Sequence, residues 1–165
     1  MKTHDSILKL IPHGAIIAAA YAALTLLFAP ISYGPMQVRV AEALTILPIF
    51  TPAAVPGLFV GCFLANLFGD AVVLDAIFGS LATLLGAAGS WLLRRNHWMV
   101  PLPAIMANVV IIPFVLRYGY GVDLPLPLLA MHLAVGEFLG CYVLGEILAS
   151  ALLSRRLFRN QHESA

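Results

Sequence analysis

The sequence predicts an all-α integral membrane protein with six transmembrane helices, and three observations carry that prediction. Of the 165 residues, 61% are hydrophobic and 10% charged, where a soluble domain carries about 25% charged residues. The apolar residues fall in long runs, and about 20 of them make one helical crossing of a bilayer core. The basic residues sort to alternate breaks between those runs, as an even number of crossings requires.

The elements follow in order. The first crossing runs from Ile11 to Ala29. A Lys-bearing N-terminus precedes it, as in a signal peptide, but five more apolar runs follow, so it reads as a retained helix. The second and third crossings lie between Val38 and Phe68, and Pro48, Pro52 and Pro56 bend the chain between them. The fourth spans Asp75 to Leu93, the fifth Val100 to Leu116 and the sixth Leu126 to Leu153. Residues 1–10 and 154–165 remain as tails of a single membrane domain covering 1–165.

Charge sets the orientation. With six crossings, Lys2, Lys9, Arg94, Arg95, Arg155, Arg156 and Arg159 all fall on one side. The other side holds Asp70, Asp75 and Asp123, with Arg117 as its clear base. The positive-inside rule then puts both termini in the cytoplasm. Trp91 and Trp98 flank the basic loop, and Tyr118 and Tyr120 sit opposite, where interfacial aromatic residues belong. A net charge of +1 gives no case for a nucleic-acid partner.

Small residues mark helix contacts. In "AIIAAAYAAL" one row at spacing four is Ala15, Ala19 and Ala23, and the next is Ala18 and Ala22. The fourth helix repeats the device with Gly79 and Thr83, then Ala82 and Gly86. Such faces let two helices approach closely in lipid. Spacing alone favours internal packing for both.

The outward half also holds polar residues that apolar spans should not contain. They are Gln37, Arg39, Glu42, Asn66, Asp70, Asp75, Asn108, His132 and Glu137. A charged residue at mid-bilayer costs about 2.5–3.5 kcal/mol, so such groups survive facing a partner or a cavity. Arg39 and Glu42, three apart, can form an ion pair on one helix face. Asn66 and Asn108 can bond between helices, and Asp75 can cap the fourth helix. Glu137 has no base three or four residues away. Glu146 lies nearer the cytoplasmic end and reads as a contact to a neighbouring helix or to a partner.

Cys62 and Cys141 stand alone in apolar runs and read as small reduced core residues. The histidines His4, His13, His97, His132 and His162 are scattered, so no metal and no cofactor are inferred. There is no phosphate-binding Gly-rich loop ending in Lys-Ser/Thr, no H-E-x-x-H and no G-x-S-x-G. An intramembrane enzyme built on His132 and Glu137 would lack a nucleophile at suitable spacing.

The segments "YGPMQVRVAEALTILPIFTPAAVPGLFVGCFLANLFG", "LDAIFGSLATLLGA" and "VGEFLGCYVLG" carry a resemblance. They resemble the QueT family of queuosine-precursor transporters, which are substrate-binding S-components of energy-coupling factor (ECF) transporters. The likeness runs from about Ile16 to Leu152. Departures are Val40-Ala41, where Ile/Val-Ser is expected, and Glu146, where an apolar residue is usual. The resemblance implies an S-component-like bundle in the cell membrane of a prokaryote. It also implies partners, namely a transmembrane scaffold protein and two ATPases. The Ala15, Ala19 and Ala23 row then resembles the face that docks on the scaffold. An S-component for another vitamin-like ligand, or a solitary facilitator, stays open.

The implied ligand is a 7-deazaguanine such as preQ1, preQ0 or queuine. Its donor edge suits a carboxylate, which accepts two N–H groups as a charge-assisted pair. Its carbonyl suits an amide or guanidinium, and its flat ring an aromatic or apolar wall. An amine on the 7-substituent would suit a second carboxylate. Glu42, Glu137 and Asp75 are the acceptors. Arg39, Gln37, Asn66 and Asn108 are the donors, and Tyr33 and Phe78 the walls. Tyr33 opens a Tyr33-Gly34-Pro35 turn expected to close over the pocket. Glu42 and Glu137 are the two carboxylates expected to read the ligand. Depth favours Glu137 for the donor edge, and the assignment stays open.

The orientation is testable. Single cysteines at Asn96 and Val122 are expected to react oppositely with an impermeant thiol reagent on whole cells. Labelling of position 96 from outside would refute the topology.

Overall fold

The computed structural model describes residues 2–33, 37–69 and 71–162, and no strand occurs among them. Gly34, Pro35 and Asp70 lie outside the described residues, as do the side chains of Lys2, Lys9, Arg155, Arg156 and Arg159. Helix α1 (Lys2–Leu27) is followed by a single turn, α2 (Ala29–Ser32). A 3-10 helix then covers Val40–Ile49. Next come α3 (Ala54–Phe68), α4 (Val73–Leu92), α5 (Leu102–Tyr118) and α6 (Leu126–Glu137). A π-helical segment, Phe138–Leu144, joins α6 to α7 (Gly145–His162).

Four stretches are long and apolar enough to cross a membrane: Leu10–Leu27, Val73–Leu92, His97–Tyr118 and Leu126–Ser154. Val40–Ile49 and Ala54–Phe68 are apolar but shorter. The chain is therefore a multi-pass membrane protein. Its polarity is distributed for lipid. Ile16, Leu27, Phe68, Val73 and Phe114 are exposed on the outside, while Gln37, Arg39, Glu42, Asn66, Asp75, Asn108 and Glu137 are buried. Lipid solvates apolar side chains as well as a core does, so polar groups go inside.

The stretch after Arg39 is not the α-helix its pattern suggests. Pro48 has no N–H to donate, and Thr45 Oγ1 donates 2.6 Å to the Glu42 carbonyl. Three residues per turn put side chains three apart in register. Arg39, Glu42, Thr45 and Pro48 are therefore one line, and all four are buried. The 3-10 helix also lies against the π segment. A Cβ at Gly140 would come 2.9 Å from the Arg39 carbonyl, so glycine sets that approach.

The two alanine rows of α1 divide the work. Ala18 is buried, and Ala15, Ala19 and Ala23 are exposed. The inner row meets α3 at its glycines. A Cβ at Gly57 would lie 2.7 Å from the Gly14 carbonyl, and one at Gly61 would lie 2.8 Å from the Ala18 carbonyl. Backbone cannot yield as a flexible side chain can. On α4, Gly86 and Gly89 receive Ala104 and Pro103 of α5 in the same way. Gly61→Val is therefore expected to cost roughly 1–3 kcal/mol. The check is the melting temperature in detergent, and an unchanged value would contradict this packing.

Candidate functional site

The inward faces of these elements meet in one buried polar cluster. Arg39 ends the extended segment before the 3-10 helix. Its Nη1 lies 3.9 Å from Glu42 Oε1, and its Nη2 lies 3.8 Å from Asp75 Oδ2. One guanidinium thus serves two carboxylates. Tyr33 lies beside it, with its ring centroid 5.9 Å from Arg39 Cζ and its hydroxyl donating 2.8 Å to the Ala65 carbonyl. The Arg39–Glu42 pair read from the i, i+3 spacing exists, and Asp75 joins it from another helix.

Asp75 is held from both sides. It sits in the first turn of α4, one turn inside Val72, so it does not cap the helix. Tyr120 donates 2.9 Å to Asp75 Oδ2, and Asn66 Nδ2 donates 3.1 Å to the Asp75 carbonyl. Burial pushes the Tyr120 phenol well up, and the Asp75 carboxylate pushes it further. It therefore stays a donor above the ordinary tyrosine range. Tyr120 thus bonds to the buried cluster, where its position suggests an interfacial anchor. Tyr118 is exposed, as an anchor should be.

Glu137 ends α6, and Cys141 stands four residues on in the π segment. The Cys141 thiol donates 3.1 Å to Glu137 Oε2 and lies 3.8 Å from Glu42 Oε2. Tyr21 of α1 donates to Glu42 Oε1. One ligating atom from each of Glu42, Glu137 and Cys141 falls within 4.8 Å of the others. Both cysteines are free and buried, as expected. They are polar partners too, since Cys62 Sγ lies 3.8 Å from Arg39 Nη1 and 3.6 Å from Asn66 Nδ2.

The cluster has capacity to spare. Gln37 Nε2, Asn66 Oδ1, Asp75 Oδ1 and both polar atoms of Asn108 are buried without a hydrogen-bond partner. Asn108 interacts with Glu137 without forming a well-aligned hydrogen bond. Native interiors leave few such groups, because each costs about 1–3 kcal/mol. Gln37 adds a strained backbone, with φ at 36° in the left-handed region. Strain of this kind gathers at ligand clamps and switches.

Seven of the nine expected binding residues thus lie in or beside this cluster, and Gln37 is buried two residues before Arg39. Phe78 lies outside it. It is 44% exposed and lines an outer groove of about 380 Å³ with Leu74, Val110 and Phe114. The helical turn explains this. Gly79 and Thr83 share the buried side of α4 with Asp75, while Phe78 shares the exposed stripe of Leu74, Leu81 and Leu85. His132 is half-buried with Nδ1 unpartnered. Glu146 meets a neighbour, its Oε2 lying 3.4 Å from His97 Nδ1. Tyr21, Cys62, Tyr120 and Cys141 were not anticipated as site residues. The spacing of four between Glu137 and Cys141 was a readable signal, and a lone tyrosine in an alanine row was another.

Residues 11–154 match the family model described as QueT transporter. The chain is similar to the queuosine precursor transporter QueT of Lactococcus lactis subsp. cremoris (strain MG1363). The two are 30% identical over 142 residues, covering 78% of this chain and 83% of the relative. No solved structure matches.

The shared guanidinium makes a stability prediction. Arg39→Gln leaves two buried carboxylates without their shared counter-charge and is expected to cost about 3–5 kcal/mol. Adding Glu42→Gln removes one of those charges and is expected to restore part of the loss. Melting temperatures of the single and double variants decide it. A double variant less stable than Arg39→Gln would contradict the pairing.

Proposed function

The chain belongs to the QueT transporter family, and from that premise we propose that it is the membrane-embedded substrate-binding subunit for uptake of a queuosine precursor, a 7-deazaguanine. The observation that carries this reading is the set of unpartnered buried groups, Gln37 Nε2, Asn66 Oδ1, Asp75 Oδ1 and both Asn108 atoms. They offer donors and acceptors of both kinds around three carboxylates. A 7-deazaguanine presents the complement, two adjacent N–H donors and a carbonyl on a flat ring. Tyr33 is the aromatic neighbour, in place of Phe78.

In this reading the chain crosses the cell membrane six times with both termini in the cytoplasm. Val40–Ile49 and Ala54–Phe68 are the two short crossings. Their ends are helped by neighbours, since backbone at membrane depth is tolerated where protein surrounds it. The exposed Ala15, Ala19 and Ala23 row supports docking on a transmembrane scaffold protein, with ATP hydrolysis on two partner ATPases. A groove of about 410 Å³ beside that row is lined by Gly14, Ala15, Ala18, Ala53 and Gly57. It would admit a closely approaching helix. Glu146 Oε2 lies 3.4 Å from His97 Nδ1, a neighbour within the protein.

Two measurements test this function. Calorimetry on the purified protein is expected to show binding of a 7-deazaguanine. Glu42→Gln, which puts an amide donor where the ligand also donates, should weaken that binding about 30-fold or more. Unchanged affinity would refute Glu42 as a ligand group. Ala19→Trp is expected to abolish co-purification with the scaffold and uptake while leaving ligand affinity nearly intact. Intact assembly in that variant would refute the docking face, and uptake without the ATPases would identify a solitary facilitator.

A further inference from the structure

The buried cluster is short of positive charge. Among the described residues, Glu42, Asp75 and Glu137 are all at most 3% exposed, and Arg39 is the buried guanidinium that meets the first two. Arg39 reaches Glu42 and Asp75 within 4 Å, and no ion pair joins it to Glu137. Glu42 has a phenol donor as well, from Tyr21. Glu137 has a thiol, a weak donor, at 3.1 Å. Next to Glu137, Asn108 is 2% exposed and interacts with that carboxylate without forming a well-aligned hydrogen bond. A carboxylate so placed has little water and no counter-charge within ion-pair distance, which is costly unless a partner arrives.

We propose that Glu137 is the counter-ion for a cationic 7-substituent, so that the site selects amine-bearing 7-deazaguanines over neutral ones. The inference rests on the ligand class proposed above. It reverses the assignment that depth alone favours, because Glu42 and Asp75 already share the guanidinium and Glu137 does not. An ammonium beside Glu137 donates to its carboxylate and to Asn108 Oδ1. The remaining carboxylates, whose charge Arg39 offsets, then face the guanine-like donor edge. A nitrile at the same place donates nothing and leaves Glu137 uncompensated.

The test is calorimetric affinity for 7-aminomethyl-7-deazaguanine and 7-cyano-7-deazaguanine on the native chain and on Glu137→Gln. The native chain is expected to prefer the amine by about 30-fold or more, as for a buried charge pair against an unpaired charge. Glu137→Gln is expected to weaken amine binding by a similar factor while nitrile affinity stays within about threefold. Retained nitrile binding also shows that the variant folds. Equal affinities on the native chain would overturn the inference without touching the proposed function, whatever the variant does. A preference that survives Glu137→Gln would overturn it as well, by showing that another group reads the amine. Binding of neither compound would overturn the functional reading on which it rests.

Discussion

Everything in the interior depends on one guanidinium shared by two carboxylates. A charge in an apolar span costs about 2.5–3.5 kcal/mol on insertion scales, and Arg39, Glu42 and Asp75 are all nearly fully buried. None of the three is stable there without the others. Arg39 lies 3.9 Å from one carboxylate and 3.8 Å from the other, close enough to balance charge but too far for good hydrogen bonds. Its Nε and Nη2 remain without hydrogen-bond partners. An ion cluster that is electrostatically bound yet loosely hydrogen-bonded keeps hydrogen-bonding capacity unused.

The backbone is shaped to deliver those charges to one place. Three-residue turns keep Arg39, Glu42 and Thr45 in one line, where an α-helix would rotate them apart. The π segment begins directly after Glu137 and carries Cys141. Such wide turns recur at functional sites. Gly140 lets this segment approach the Arg39 carbonyl, and Gly79 leaves room between Asp75 and Asn66. Small residues thus act twice, joining α1 to α3 and α4 to α5, and letting the elements of the polar cluster approach one another closely.

Much of this was legible in the sequence. Composition and run length identify a multi-pass helical membrane protein, because lipid tolerates few other arrangements. Polar residues inside apolar runs named most of the cluster, since such groups are expensive and need a reason. What stayed hidden was geometric. The α-period assigned to Val40–Ile49 fails because Pro48 and the Thr45 side chain favour tighter turns. Phe78 was placed in the site on chemistry alone, although the helical period puts it beside Leu74 and Leu81. Tyr120 and Tyr21 reach the cluster from segments distant in the chain, and no local pattern marks their partners. Glu146 found His97 across the α4–α5 connection for the same reason.

The central claim is that the unpartnered buried groups form the binding site. The direct measurement is a structure of the protein with a bound 7-deazaguanine. The ring is expected amid Glu42, Asp75, Asn108 and Glu137, with ligand atoms within hydrogen-bond distance of Asn108 and Asp75 Oδ1. A ligand seated in the outer groove of Phe78 and Phe114, with Asn108 and Asp75 Oδ1 still unpartnered, would contradict it.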